Sequence, residues 1–574
     1  MSIDPQDLAS LSPEQLALLQ RRLQSARKAA RPEAARIPPR GRETNRFPLA
    51  APQQILWLLD QLEPGSTAST IPVACWLEGE LDPAALESSL RAEVRRHEIL
   101  RTRFVAEGGH PWQVIEAGMD VPLPLVELGG YAEAEREARA RELVLEQLRK
   151  PFDLARGPLL RALLIRLSET RHLFLLALHH IVADAWSAGL LVSEIVTGYA
   201  AFRRGEEPRL PELPIQYADF ACWQQERLRG EELERLMGYW KERLAGIPSQ
   251  LELPTDRPRP AGQRPAHRTF RGEISASRLA ALRDLERREG ATLFALLLTA
   301  FYALLHRWTG LEDLFVGAPM LNRAHPAVQR LAGCFGNILV LRADLAGDPA
   351  LRELLERVRR TLQGGLDHEE LPFNTLLREL PLERSAGGTP LLQVMLNLQT
   401  AGTWPEIHLP GLAIERVELE IGTVHDLDFM LVESEDGLAV LLRYNSDLFD
   451  GETAALLMEG WSAILDELSR DPGQPLSRLP FPEPLAARAE AARRRERKVE
   501  IAVAATFTAE PLAEPLELWL EELGIPGRIS LAPYNQVFQQ LLDPAGLFAG
   551  NRSGLNVVLL RIEDWERFRP EGAR

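Results

Sequence analysis

Apolar positions along this chain change their spacing repeatedly, and the changes mark its elements. The run His172-Leu-Phe-Leu-Leu-Ala-Leu178 is apolar at every position after the first, the pattern of a strand covered on both faces. Beyond it the period lengthens. Leu190, Leu191, Ile195 and Val196 suit a helix starting near Ser187 with that serine as N-cap. The longest apolar stretch, Ala291 to Leu305, is shorter than the roughly 20 residues a bilayer needs. It ends in His306-Arg307 and predicts a buried helix. Asp313 to Gly317 and Leu438 to Arg443 read as strands. Near the N-terminus, Ser12-Pro13-Glu14-Gln15 opens a helix that carries Leu16, Leu18, Leu19 and Leu23. Near the C-terminus, Val499 to Phe507, Arg528 to Leu531 and Asn556 to Leu560 read as strands. Helices at Glu514 to Leu523 and Gln536 to Leu542 give a βαβαβ order with few layers to cover its sheet.

These patterns divide the chain into a helical leader and linker (1–46), a first α/β lobe (47–225), a second lobe (226–480), a charged linker (481–498) and a partial α/β domain (499–574). The last reads as a piece of a longer polypeptide. Helices and strands mix without strict βαβ alternation, which predicts an α+β fold of two lobes. Lobes of similar size invite a ligand cleft between them.

The formal net charge of -16 argues against a nucleic-acid partner, which would demand a basic face. No apolar leader resembles a signal peptide, and the expected setting is the cytoplasm, without a membrane partner. The three cysteines, Cys75, Cys222 and Cys334, are far apart among apolar neighbours, which predicts buried free thiols.

Chemistry concentrates where the strand of 172–178 ends: His179-His180-Ile-Val-Ala-Asp184. An imidazole at a strand end can be presented to a cleft, where it accepts a proton or holds a nucleophile in place. Structural histidines at this position are equally compatible with the pattern. No CxxC or HExxH accompanies the pair, so no metal is expected. Asp184 is placed to pair with a cation and brace the loop.

Residues 47–480 resemble the condensation domains of non-ribosomal peptide synthetases. Six motifs stand in that family's order: Ala51-Pro-Gln-Gln-Ile-Leu-Trp57 running on to Gly65, Arg96-His-Glu-Ile-Leu-Arg101 running on to Phe104, His179 to Asp184, Tyr217-Ala-Asp-Phe-Ala-Cys-Trp223, Gly333-Cys-Phe-Gly-Asn337 and His368-Glu-Glu-Leu-Pro-Phe373. A looser seventh lies around Arg384 and Pro390-Leu391. The resemblance implies two chloramphenicol-acetyltransferase-like lobes in a V-shaped pseudo-dimer with a central tunnel. It implies upstream and downstream peptidyl carrier proteins as partners, alongside neighbouring domains of the assembly line. No cofactor is bound directly; phosphopantetheine arrives on the carriers. An amine on the downstream arm attacks the upstream acyl or peptidyl thioester, and an amide forms. His180 is then the central catalytic residue, as general base or as the group that orients the amine. His179 packs, and Asp184 holds the loop by pairing with Arg101. Arg96, Ala185, Trp186, Ser187, Trp223 and Asn337 are structural supports.

Two positions depart from the family. Ala185 replaces a customary glycine after the aspartate, which would have allowed unusual backbone angles or close approach of the arm. Ser69-Thr70-Ile71-Pro72 stands where members often carry Tyr-Asn before the Ile-Pro. Ala185 also keeps open a second possibility, a catalytically silent module that recruits carrier proteins or a partner enzyme. Thr506 to Pro511 and Ala532 to Pro544 resemble the N-terminal α/β region of FkbH-like proteins, with no activity expected of the partial segment.

Overall fold

In this computed structural model the described residues are 36–259, 266–381, 390–399, 409, 411–417, 419, 425–434, 437–496, 499–523, 527–544, 546–551 and 554–561. The expected leader helix and Arg384 lie outside them. Contacts divide the chain into two compact units. One runs to Leu251 and resumes from Arg259 to Pro480; the other joins Glu252–Pro258 to the segment from Phe481 onward.

The first unit begins with β1 (Arg46–Pro48), α1 (Ala51–Leu62), β2 (Thr70–Gly79), α2 (Pro83–Arg96), β3 (Thr102–Glu107), β4 (His110–Ile115), β5 (Leu125–Glu127) and α3 (Glu133–Leu148). It continues through β6 (Leu160–Arg166), β7 (Arg171–His179), α4 (Ala185–Phe202), α5 (Tyr217–Arg227) and α6 (Gly230–Arg243). Then come β8 (His267–Ser275), α7 (Ala276–Glu289), α8 (Leu293–Thr309), β9 (Asp313–Met320), β10 (Asn337–Asp344), α9 (Leu351–Asp367) and α10 (Phe373–Glu379). It closes with β11 (Val394–Gln399), β12 (Leu412–Arg416), β13 (Leu427–Ser434), β14 (Gly437–Asn445) and α11 (Gly451–Arg470).

Strand β7 lies in the middle of the five-stranded order β12-β2-β7-β6-β5. Its residues 172–179 are all buried, because helices and core side chains cover both faces; this is why the sequence there shows no alternation. The second sheet has the order β10-β9-β11-β13-β14-β8. Helix α8 packs beside it, with Phe301, Phe429 and Trp461 in mutual ring contact. The two halves of the sequence are not separate bodies. β12, from the second half, pairs antiparallel with β2 of the first, Leu412 opposite Gly79. The expected linker is partly built into the fold as well: Ile37 is buried, and the Arg40 main-chain N–H and the Arg42 guanidinium both donate to Asp219. Helix α4 alone among the described helices has the length and apolar content to cross a bilayer. It is a core helix, with Glu194 buried on its inner face.

The second unit contains α12 (Glu483–Glu496), β15 (Val499–Ala505), α13 (Ala513–Glu522), β16 (Gly527–Leu531), α14 (Val537–Leu542) and β17 (Leu555–Leu559). Its strands pair in parallel with β15 in the centre. A small core forms around Ala502, Ala504, Val537 and Phe548. Trp519, Leu523, Phe538 and Leu542 stay exposed, the result expected of a sheet with too few layers.

Candidate functional site

The loop after β7 is tied down at nearly every residue. The His180 main-chain N–H donates to Ser69 O at 2.7 Å, and Gln53 Nε2 donates to Ile181 O at 3.2 Å. Gln53 comes from the first motif and is fully buried. The Ile181 N–H donates to His179 Nδ1 at 3.1 Å, and the His179 ring meets Phe152 edge-on. Burial, then the neighbouring His180, pushes the pKa of His179 down to about 3. The ring is thus held neutral and already accepts from the backbone.

Asp184 ends the loop and caps α4. Its Oδ1 accepts from the Ser187 N–H and from Ser187 Oγ, both at 2.7 Å. The helix therefore starts at Ala185, not near Ser187. Aspartate outcompetes the serine for the cap because its carboxylate reaches N3 and favours the positive helix end. Ala185 is then the first helical residue and is absent from the positive-φ residues. The conformational freedom a glycine would bring is not needed there.

The expected pairing of Asp184 with Arg101 is not found. Arg101 ends a short 3-10 turn, and its guanidinium turns to the Glu116 carbonyl at 2.6 Å and to Glu98. The cation on Asp184 is Arg323, from the segment between β9 and β10. Its Nη2 donates to Oδ1 and Oδ2 at 3.0 and 3.2 Å and to Ser187 Oγ at 2.7 Å. Its Nη1 donates to the Val328 and Leu331 carbonyls, and its plane lies over the Phe335 ring. The Phe335 N–H donates to Asp184 Oδ2, and the Gly333 N–H donates to Ser187 Oγ. Asp184 is thus a buried knot between the two halves of the unit, with charge-assisted bonds on both oxygens. Gly333 sits where a Cβ would lie 2.0 Å from the Tyr217 ring, and the Tyr217 hydroxyl donates to the Cys334 carbonyl. Trp186 Nε1 adds a bond to Gln329 O at 3.0 Å.

This knot delivers Cys334 to His180. Sγ lies 3.6 Å from Nδ1. His180 is half-buried, and its Nε2 bonds to no protein atom among the described residues. Of the two imidazoles it is the more exposed, since His179 is buried.

The remaining candidates are engaged in packing and hydrogen bonds. Asn337 Nδ2 donates to the Glu369 and Leu371 carbonyls at 2.8 Å, and its Oδ1 accepts from the Phe373 N–H at 3.0 Å. It latches the His368–Phe373 motif to β10. Trp223 packs on the core beside His325 and under Arg227. Arg96 binds Glu194 of α4 and the Pro211 carbonyl. Glu194 also meets His97 Nε2 at 2.7 Å, and Glu93 lies 3.5 Å from that nitrogen. Ligand-type atoms of these three buried residues lie within 4.8 Å of one another, a cluster the sequence pattern did not suggest. The Arg96 guanidinium supplies the cation there. Burial, then the bond to Glu194 and its charge, pushes the Glu93 carboxyl up to about 9. Burial opposes ionisation of Glu194 too, but bonds to His97 and Glu93 and the charge of Arg96 hold it down to about 2. One proton and one guanidinium neutralise the cluster.

Two α+β halves joined through a buried aspartate beside a half-buried imidazole define a class, and comparison with known proteins gives it a family. The Condensation domain family matches residues 43–488, and the chain belongs to it. One of the linear gramicidin synthase proteins of Brevibacillus parabrevis is 43% identical over 478 residues, covering 82% of this chain and 9% of that protein. The chain therefore spans less than a tenth of that relative's length. Among solved structures, the X-domain from teicoplanin biosynthesis is 31% identical with a TM-score of 0.70, covering 78% of this chain and 100% of that one. The first condensation domain of the calcium-dependent antibiotic synthetase shares the fold, with a TM-score of 0.63 at 24% identity over 76% of this chain and 99% of that one. The family match ends at residue 488, before the three-stranded sheet of the second unit.

Proposed function

We propose that this chain joins an upstream acyl or peptidyl thioester to a downstream aminoacyl thioester, forming an amide, with both reactants carried on phosphopantetheine arms of carrier proteins. The observation that carries this reading is His180. Its Nδ1 and main chain are engaged while Nε2 is left without a protein partner among the described residues, in a chain of the Condensation family. A thioester is already activated and an amine is a competent nucleophile. Alignment of the two ends in a channel between the halves then supplies much of the rate, about 7–11 kcal/mol for well-oriented reactants. The partners are upstream and downstream carriers and neighbouring assembly-line domains, in the cytoplasm.

The test is transfer itself. Two carrier proteins bearing a panel of donor and acceptor thioesters are mixed with the protein, and the downstream arm is weighed by mass spectrometry. A mass increase equal to the donor acyl group supports the reading. A second reading has one observation behind it: another solved neighbour, at 31% identity, is the X-domain in complex with OxyB from teicoplanin biosynthesis. A module of that kind would bind a partner enzyme, and binding without transfer across the whole panel would favour it. The ordinary helical backbone of Ala185 removes the conformational argument for that reading.

A further inference from the structure

The thiol of Cys334 is buried at 2% exposure. Burial, reinforced by the Asp184 charge and opposed by Arg323, raises its pKa well above the ordinary thiol value. It therefore keeps its proton. The S–H is a weak donor, and His180 Nδ1 at 3.6 Å is the acceptor beside it. The other imidazole nitrogen has no such constraint, because it bonds to no protein atom among the described residues. In a neutral imidazole the bond made at one nitrogen decides which carries the proton.

We infer that Cys334 is a positioning residue that donates its thiol hydrogen to His180 Nδ1 and so fixes His180 as the Nε2–H tautomer. The inference rests on the reading of His180 given above and deepens it. An imidazole protonated at Nε2 offers the reactants a hydrogen-bond donor, not a base. The amine nitrogen attacks the thioester carbonyl carbon, the C–N bond forms and the carbonyl π pair moves to oxygen. Nε2–H donates to that oxygen while its charge is greatest. When the pair returns, the C–S bond breaks, and the leaving thiolate takes up the proton released by the new ammonium nitrogen. An amide and a thiol result, and no side chain gains or loses a proton overall. Cys334 belongs to the segment between β9 and β10, which the Asp184–Arg323 knot anchors to the loop bearing His180. The ring is thereby oriented from across the unit.

The test uses full-length protein labelled with 15N histidine, and long-range 1H–15N correlations read the tautomer of each ring. The His180 peaks are those lost in His180→Gln. In the wild type, Nδ1 should be bare and Nε2 protonated. Cys334→Ala should give a mixture of tautomers and lower kcat about fivefold, the effect of one hydrogen bond, with KM little changed. Cys334→Ser, whose hydroxyl can donate the same bond, should restore both. A protonated Nδ1 in the wild type, or an unchanged pattern in Cys334→Ala, overturns the inference whatever the rates. Undiminished transfer by His180→Ala would instead overturn the proposed role of His180, while the tautomer result stood by itself.

Discussion

Arg323 Nη2 donates to both carboxylate oxygens of Asp184, although 139 positions separate the two residues. Both are almost fully buried, and each makes further bonds that only this geometry allows. Removing one partner leaves a buried charge uncompensated, which costs about 3–5 kcal/mol. Arg323→Ala and Asp184→Ala should each lower unfolding stability by about that amount in urea titrations. Arg323→Lys should rescue little, because an ammonium cannot bind the carboxylate while reaching the Val328 and Leu331 carbonyls. Full rescue by lysine would show that charge alone matters.

The segment that carries Cys334 tests the close approach of backbone to ring. At Gly333 an added Cβ would lie 2.0 Å from a Tyr217 ring carbon, while at Gly336 the nearest atom, Met320 O, is 3.7 Å away. Gly333→Ala should lose soluble expression or several degrees of Tm. Gly336→Ala should melt close to the wild type. Equal melting of the two variants would contradict the packing described.

The carboxylate cluster gives stability a pH dependence. Folding holds a proton on Glu93 that the unfolded chain releases above the ordinary value of 4.5. This stabilisation is complete below that pH and is lost as pH rises toward about 9. Glu194 is shifted the other way, so its contribution fades only as pH falls from its ordinary value toward about 2. Glu93→Gln stays neutral at every pH. The Tm difference, variant minus wild type, should therefore increase steadily between pH 5 and pH 9. A constant difference would mean that Glu93 is ionised in the folded protein.

Asn337 uses three bonds to hold the 369–373 segment. Asn337→Asp should destabilise more than Asn337→Ala at neutral pH, since a carboxylate oxygen would face two carbonyls in place of an amide donor. Lowering the pH should narrow the gap, because a protonated aspartate can donate to one of them. A larger loss for alanine throughout the pH range would contradict this role.

How far the sequence reveals this site depends on the range of each interaction. β7 is legible because a central strand has no polar face, and His179 to Asp184 because they lie together in the chain. The six motifs carry the family. The partner of Asp184 is not legible: Arg323 lies in an irregular segment with no period, and one arginine among many carries no mark of its distant contact. Arg101 misleads for the same reason, since proximity to a motif does not fix where a long side chain points. Cys334 reads as a buried thiol, and it is one. Its contact with His180 depends on the fold bringing residues 154 positions apart together. The helix cap lies three residues before its expected place because both Asp184 and Ser187 are good capping residues.

The most direct measurement compares His180→Ala with the wild type, following acyl transfer between two loaded carrier proteins by mass spectrometry and checking that the variant melts like the wild type. The structure predicts a fall in kcat of about a hundredfold or more, the usual effect of removing one donor from a developing oxyanion. Equal amounts of amide from both proteins would contradict it.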